Sequence, residues 1–195
     1  MPEYNRKDRI ADTLMALVRQ YGLDRVTVRQ LVEACGISRQ TFYYHFQDLM
    51  EALEWAVERR TRQVLERCRE AETPMEALCL FTAELDASRP MVHRLLRSRR
   101  REQVERLLMR TARTYLEEAV RRAPPEAQPP KEDLEVLLDY HACGMAGLLL
   151  SSERRRDPQR LAGQLMRLLS GSLSPGGLAE HSRKTVHGND KKNGV

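Results

Sequence analysis

Apolar residues recur every three or four positions along most of this chain, and that is the period of an α-helix with one buried face. Ile10, Leu14, Leu17 and Val18 share one face of a stretch from 8 to 21, with Ala11 and Tyr21 at its margins. Val28, Leu31 and Val32 repeat the pattern, as do Leu53, Val57, Val64 and Leu65 between 48 and 69. Val104, Leu107, Leu108, Thr111, Tyr115 and Val120 do so from 102 to 122. Leu, Ala, Arg and Glu, all strong helix formers, dominate, and few segments are rich in the β-branched residues that strands favour. The expectation is an all-α fold of about nine helices.

The punctuation agrees with the period. Gly22 is a natural stop for the first helix. Thr27 with Gln30 three residues on is a capping-box pattern, and Gly36 ends the second helix. Ser38 caps a short third helix that reaches about Phe46, with the apolar Ile37 just before it. Asp48 caps the fourth, with Glu51 as its box partner, and Thr73-Pro74 opens the fifth. Pro90 predicts a break, so Pro74–Asp86 and Pro90–Arg97 are expected as separate helices. APPEAQPP, at 123–130, carries four prolines and predicts a loop. Helices over 132–152 and 158–169 follow, split by a charged stretch. From Ser170 the sequence turns to Gly, Ser, Pro, Lys and Asn, the composition of a disordered tail, placed at 172–195.

Thr27 to Phe46, TVRQLVEACGISRQTFYYHF, meets three requirements of a helix-turn-helix: a short amphipathic first helix, a tight turn at Gly36, and a second helix opening on small polar residues. Phe42 and Phe46, four apart, should face a core with Leu31, Ile37 and the first helix. Tyr43 and Tyr44 are consecutive and cannot both turn inward. Arg39 suits guanine and Gln40 adenine in a major groove; the alternative for both is a solvated helix face. The Tyr hydroxyls suit phosphate, and their rings a thymine methyl. Thr27 and Arg29 are placed to hold phosphate at a helix N-terminus, and His45 could donate to one. The candidate DNA-binding set is Thr27, Val28, Arg29, Ser38, Arg39, Gln40, Thr41, Tyr43, Tyr44 and His45.

Residues 6–58 resemble the N-terminal domain of TetR/AcrR-family regulators. The resemblance rests on Ile10 to Gly22, on Thr27, Val28, Ile37 and Ser38, and above all on Thr41-Phe42-Tyr43-Tyr44-His45-Phe46 followed by Asp48. It implies a three-helix helix-turn-helix domain, 6–47, joined to a helical regulatory and dimerisation domain, 48–171. It also implies DNA contact by Thr27, Arg29, Arg39, Gln40, Tyr43, Tyr44 and His45. The family commonly has a phosphate-gripping Lys just after the fourth helix's cap; here that position is Leu49. SRQTFYYHF-QDLMEALEW also resembles the subgroup of dihydroxyacetone-kinase-type regulators.

Leu134, Leu137, Leu138, Met145, Leu148 and Leu149, with Leu161, Leu165, Leu168 and Leu169, are more apolar surface than one small core uses. That surplus predicts a homodimer through the last two helices, with Gly144 and Gly147 allowing close approach. The alternative is a fully buried helix in a monomer. A dimer would read a palindromic operator in double-stranded DNA. A small-molecule pocket is expected among Phe81, Leu85, Met91, Leu95, Leu108, Met109, Tyr115, Tyr140, His141 and Met145; the alternative is that these simply fill a core. Arg97, Arg99, Arg100 and Arg101 between two helices read as a solvated loop, or as a site for an anionic ligand or a partner protein.

Net charge is +5 with a pI near 9.2, which fits an anionic partner, yet Lys and Arg only slightly outnumber acids in residues 1–47. Cys35, Cys68, Cys79 and Cys143 form no C-x-x-C pair and read as reduced, mostly buried thiols. The His at 45, 93, 141, 181 and 187 are scattered, and no metal spacing, nucleophile elbow or glycine-rich phosphate loop occurs. No enzyme activity, metal or cofactor is expected. The N-terminus lacks an apolar signal core, and Ala142–Leu150 is too short to span a bilayer, so a cytoplasmic protein with no membrane partner is expected. The function these features predict is a homodimeric transcriptional repressor released by a ligand. The alternative is a regulator whose C-terminal domain senses a protein partner.

Overall fold

The computed structural model describes residues 6–123, 128, 130–150 and 157–173, and the side chains of all of these except 149 and 169–173. Among them every regular element is helical: α1 (Arg6–Tyr21), a 3₁₀ turn (Leu23–Arg25), α2 (Val28–Cys35), α3 (Arg39–His45), α4 (Leu49–Glu70), α5 (Pro74–Leu96), α6 (Arg101–Arg122), α7 (Lys131–Leu150) and α8 (Pro158–Leu173). The all-α expectation holds, with eight α-helices where about nine were expected.

The difference lies at Pro90. It sits inside α5, which continues unbroken from Pro74 to Leu96. A proline costs a helix one N–H and crowds the carbonyl four residues back. Here Pro90 lies on the exposed side, while Arg89 and Val92 beside it are buried. Packing of α5 against α4 and α8 then holds the helix through the defect. The last helix also runs to Leu173, beyond the expected end at Leu169. The 3₁₀ turn at Leu23–Arg25 had no sequence counterpart. Most of the proline-rich loop, the charged stretch before Asp157 and the tail from Ser174 lie outside the described residues.

Two apolar clusters organise the molecule. In the first, Ile10, Leu14 and Val18 of α1 meet Leu31 of α2, Phe42 of α3, Phe46, and Leu49 and Leu53 of α4. Leu95 of α5 and Val104 and Leu107 of α6 close it from the C-terminal side. In the second, Val64 and Cys68 of α4 meet Phe81 of α5, Ala112 and Leu116 of α6, and Leu138, Ala142 and Met145 of α7. Helix α4 therefore serves both clusters, one at each end. Its 22 residues span roughly 33 Å at 1.5 Å per residue.

Ion pairs join the same elements. Arg60 of α4 donates to Glu84 of α5 at 2.8 Å, and Arg69 to Glu118 of α6 at 2.7 Å. Glu118 is buried, and its bond from Arg69 holds its carboxyl below the usual range. Arg113 of α6 pairs with Glu117 and with Glu135 and Asp139 of α7. The cysteines are free: Cys35 and Cys68 are buried, Cys79 is half-buried, and Cys143, against expectation, is exposed on α7.

Candidate nucleic-acid interface

The first three helices are positioned by local hydrogen bonds readable in the sequence. Thr27 caps α2: its hydroxyl accepts the Gln30 amide, and Gln30 Oε1 accepts the Thr27 amide at 2.9 Å. Gly36 ends the helix in the left-handed region at φ 62°, where a side chain would be strained. The Ile37 amide then donates back to the Val32 carbonyl at 3.0 Å, which closes the turn. Ser38 starts α3 by accepting the Thr41 amide at 3.0 Å. The Arg9 guanidinium donates to the Cys35 carbonyl and ties α1 to the end of α2.

Phe42 sets the rotation of α3. It is fully buried and rests 6.0 Å from Phe46, centroid to centroid. With that side inward, Arg39, Gln40, Tyr43 and Tyr44 must point out, and all four are exposed. Both tyrosines are outside, Tyr43 at 57% and Tyr44 at 85% exposure. Tyr43 is braced edge-on against Phe42 at 5.3 Å, and Tyr44 against His45 at 5.1 Å. Arg39 has no acidic partner among the described residues, whereas Arg29 pairs with Glu33 on the surface of α2. Thr27 and Ser38 are exposed, and Thr41 is half-buried. Val28 packs against the first cluster, so it can offer a phosphate only its backbone amide. Burial, and then the charges of Arg6 and Lys7, push the half-buried His45 imidazole below its ordinary pKa.

The residue after the α4 cap behaves unlike its counterpart in the resembled family. Leu49 is 6% exposed and belongs to the first cluster. Its side chain turns inward, so no phosphate contact can come from it. Asp48 caps α4 through the Met50 and Glu51 amides. The Glu51 carboxylate accepts the amide of Gln47, one residue before the cap.

Helix α4 is fastened to the reading head through α1. The Trp55 indole N–H donates to Asp8 at 3.0 Å, Arg59 lies 3.2 Å from the same carboxylate, and Arg59 also pairs with Asp12. The Lys7 ammonium sits 4.1 Å over the Trp55 ring. Sequence reasoning missed these links, because contacts 47 to 51 residues apart leave no local signal.

The ten pocket candidates do not converge. Phe81, Leu85, Tyr115 and Met145 meet in the second cluster, with Phe81 and Tyr115 rings 4.6 Å apart. Met91, Leu95 and Leu108 belong to the first cluster instead. Met109 and Tyr140 are exposed, and His141 is half-buried, its imidazole pushed down by burial. What the sequence reading overlooked is a polar stripe on α5. Thr82 donates to the Pro158 carbonyl at 2.9 Å, and Arg89 lies 3.7 Å from Asp86. Asp86 Oδ1 and His93 Nε2 are buried without a hydrogen-bond partner among the described residues. Positions 82, 86, 89 and 93 have helical spacing, but the expected break at Pro90 split them. Among the described residues no cluster of His, Cys, Asp or Glu is arranged to hold a metal, and no helix is long and apolar enough to cross a membrane.

Comparison with known proteins shows what these features are similar to. Residues 10–53 match the family model of bacterial regulatory proteins, tetR family. No curated protein matches the chain. Among solved structures, the fold is similar to that of the dihydroxyacetone kinase operon activator DhaS, with TM-score 0.64 and 19% identity over 88% of this chain and 97% of that one. It is also similar to the regulator SCO7518 from Streptomyces coelicolor A3(2), with TM-score 0.52 and 20% identity over 85% and 98%. The repressor AlkX from Dietzia sp. strain DQ12-45-1b gives TM-score 0.51 and 16% identity over 86% and 94%.

Proposed function

We propose, from the premise that the N-terminal domain of this chain belongs to the tetR family of bacterial regulatory proteins, that the protein is a homodimeric transcriptional repressor that reads a palindromic operator. The observation that carries this reading is the outer face of α3. Arg39, Gln40, Tyr43 and Tyr44 project together while Phe42 locks the opposite face into the core. A seven-residue helix is about 10 Å long and enters a major groove roughly 12 Å wide. Exposed aromatic rings have a use where sugar-phosphate and thymine methyls lie.

In this reading residues 6–47 are the reading head and 48–171 the regulatory and dimerisation unit. Arg39 and Gln40 contact base edges. Thr27, Arg29, Ser38, Thr41, Tyr43, Tyr44, His45 and the Val28 amide hold the flanking phosphates. Positive charge at the edge of α3 comes from Arg6 and Lys7, the two cations that depress His45, in place of a lysine at position 49.

Dimerisation is supported by a face of α7 that the protomer leaves uncovered. Val136 and Tyr140 are each 71% exposed, and Cys143 and Gly144 continue the stripe at helical spacing. A Cβ added at Gly144 or Gly147 would meet nothing within 4 Å, so the protomer itself does not require glycine there. Leu168 of α8 is 65% exposed. Of the expected leucines, Leu138, Leu161 and Leu165 are buried within the protomer, so the exposed surplus is carried by Leu168 together with Val136 and Tyr140. Two such helix pairs form a four-helix interface. The two-fold then sets half-sites roughly 34–36 Å apart.

An effector lodged in the regulatory unit releases the operator by shifting α4, the helix shared by both apolar clusters. The buried polar atoms of Asp86 and His93 support an effector with hydrogen-bonding groups. The protein works in the cytoplasm, on DNA.

The test is a gel shift with duplexes selected from a random pool. Arg39→Ala and Tyr44→Ala should keep the helical circular-dichroism spectrum and lose at least tenfold in affinity. Undiminished affinity in both variants overturns the assignment of α3 as the reading element.

A further inference from the structure

The arginine-rich turn between α5 and α6 is not idle surface. It meets the 3₁₀ turn of the N-terminal head across an open notch of about 490 Å³, lined by Leu23, Asp24, Arg25, Val26, Arg99 and Arg100. Three arginines from two segments more than seventy residues apart thus line one notch. None of the three has an acidic partner among the described residues. Elsewhere the same chain pairs its arginines freely: Arg101, next in sequence, is bonded to Glu105 at 2.7 Å.

The single carboxylate in the notch is already engaged. Asp24 accepts the Arg99 backbone amide with both oxygens, at 3.0 and 3.1 Å. That contact fixes the two walls relative to each other without neutralising a guanidinium side chain. The net charge of the lining is therefore positive. Like charges lining one notch repel, and a multivalent anion entering it relieves that repulsion. Leu23 and Val26 are almost wholly buried and give the notch an apolar floor. The volume falls within the range of small-molecule sites, roughly 300–1,000 Å³.

We propose that this notch binds a small phosphorylated metabolite, its phosphate held by Arg25, Arg99 and Arg100 and its carbon skeleton laid on Leu23 and Val26. Bidentate guanidinium–phosphate pairing supplies the selectivity for phosphate over halide. The ligand bridges the reading head to the α5–α6 turn, so its occupancy stiffens the joint between them. This site is separate from the α3 face and from the interior of the regulatory unit, and it does not depend on either.

The experiment uses the full chain without DNA. Calorimetric and thermal-shift titrations with inorganic phosphate, pyrophosphate and glycerol 3-phosphate are run against sodium chloride at matched ionic strength. The expected result is saturable binding, tightest for the organic phosphate or pyrophosphate. Arg25→Gln, and separately Arg99→Gln with Arg100→Gln, should weaken it at least tenfold without changing the unliganded melting temperature by more than a few degrees. Saturable binding that survives in both variants places the anion elsewhere and overturns the proposal. So does a linear response indistinguishable from chloride. A companion salt titration of duplex-DNA binding supplies a third outcome that overturns it: no phosphate binding in the first experiment, with a DNA-binding salt slope reduced by about one per lost arginine, which would make the notch part of the DNA footprint.

Discussion

Replacing Asp8 by alanine should loosen the joint between the reading head and α4. Asp8 accepts the Trp55 indole N–H at 3.0 Å and lies 3.2 Å from Arg59. The Asp8 and Arg59 side chains are only 24% and 22% exposed, so solvent screens the pair incompletely. A hydrogen bond to a charged group contributes about 1.5–3 kcal/mol, and a neutral one nearer 1. Arg59 keeps Asp12 as a second partner, which limits the loss. Asp8 also lies in the first turn of α1, where a negative charge contributes about 0.3–1 kcal/mol through the helix dipole. The expected destabilisation is about 2–3 kcal/mol, or roughly 4–12 °C in melting temperature for a chain of this size. Asp8→Asn keeps an acceptor for the indole and should cost about half as much. Urea unfolding followed by far-ultraviolet circular dichroism gives the stability. Emission from Trp55, the only tryptophan, reports the joint itself and should change in Asp8→Ala even in the folded state. A double-mutant cycle with Arg59→Ala separates the pair from the dipole, with an expected coupling of about 0.5–1.5 kcal/mol. A loss under about 0.5 kcal/mol, the range of ordinary surface changes, with unaltered emission would show that Asp8 does not tie α1 to α4.

Other perturbations have equally definite outcomes. Phe42→Ala removes a fully buried ring and should cost about 3–5 kcal/mol, read as a lower urea midpoint. Leu49→Lys puts an unpaired ammonium into the first cluster; the lost burial alone costs about 1.5–3 kcal/mol, so the variant should unfold earlier and bind DNA no better. Because burial lowers the His45 and His141 imidazoles, the unfolded chain takes up protons first. Stability should therefore decline as pH falls below the ordinary histidine range of about 6.5 and be retained above it; replacing both with Gln should flatten that dependence. A phosphate beside His45 raises its pKa, so DNA affinity should strengthen from pH 8 to 6, and His45→Gln should abolish the trend.

Where folding is governed by neighbours in sequence, the chain was legible. The Thr27–Gln30 capping box, the left-handed Gly36 and the caps at Ser38, Asp48 and Thr73 each depend on a few consecutive residues, and each is present. The inward turn of Phe42 and Phe46 follows from their spacing, and their burial is complete or nearly so. Legibility failed where distant segments decide. Pro90 is a helix breaker by its chemistry, but packing along α5 overrides it. The bond from the Arg99 amide to Asp24 of the 3₁₀ turn joins segments 75 residues apart and forms only once the α5–α6 turn is in place. Leu49 occupies a position where the resembled family gives a surface lysine; its burial depends on how α4 lies over α1 and α3. Of the ten pocket candidates, apolar character alone could not say which cluster each would join. Leu95 and Phe81 both lie on α5 and ended in different ones.

The most direct test of the account is selection of bound sequences from random duplex DNA, run at one stated salt concentration with wild-type protein and with Arg39→Ala. An inverted repeat with half-sites one helical turn apart is expected from the wild type, and a relaxed base preference at one symmetric pair of positions from the variant. Enrichment of no sequence over random competitor at low ionic strength would contradict it, as would a variant that selects the same repeat as sharply as the wild type.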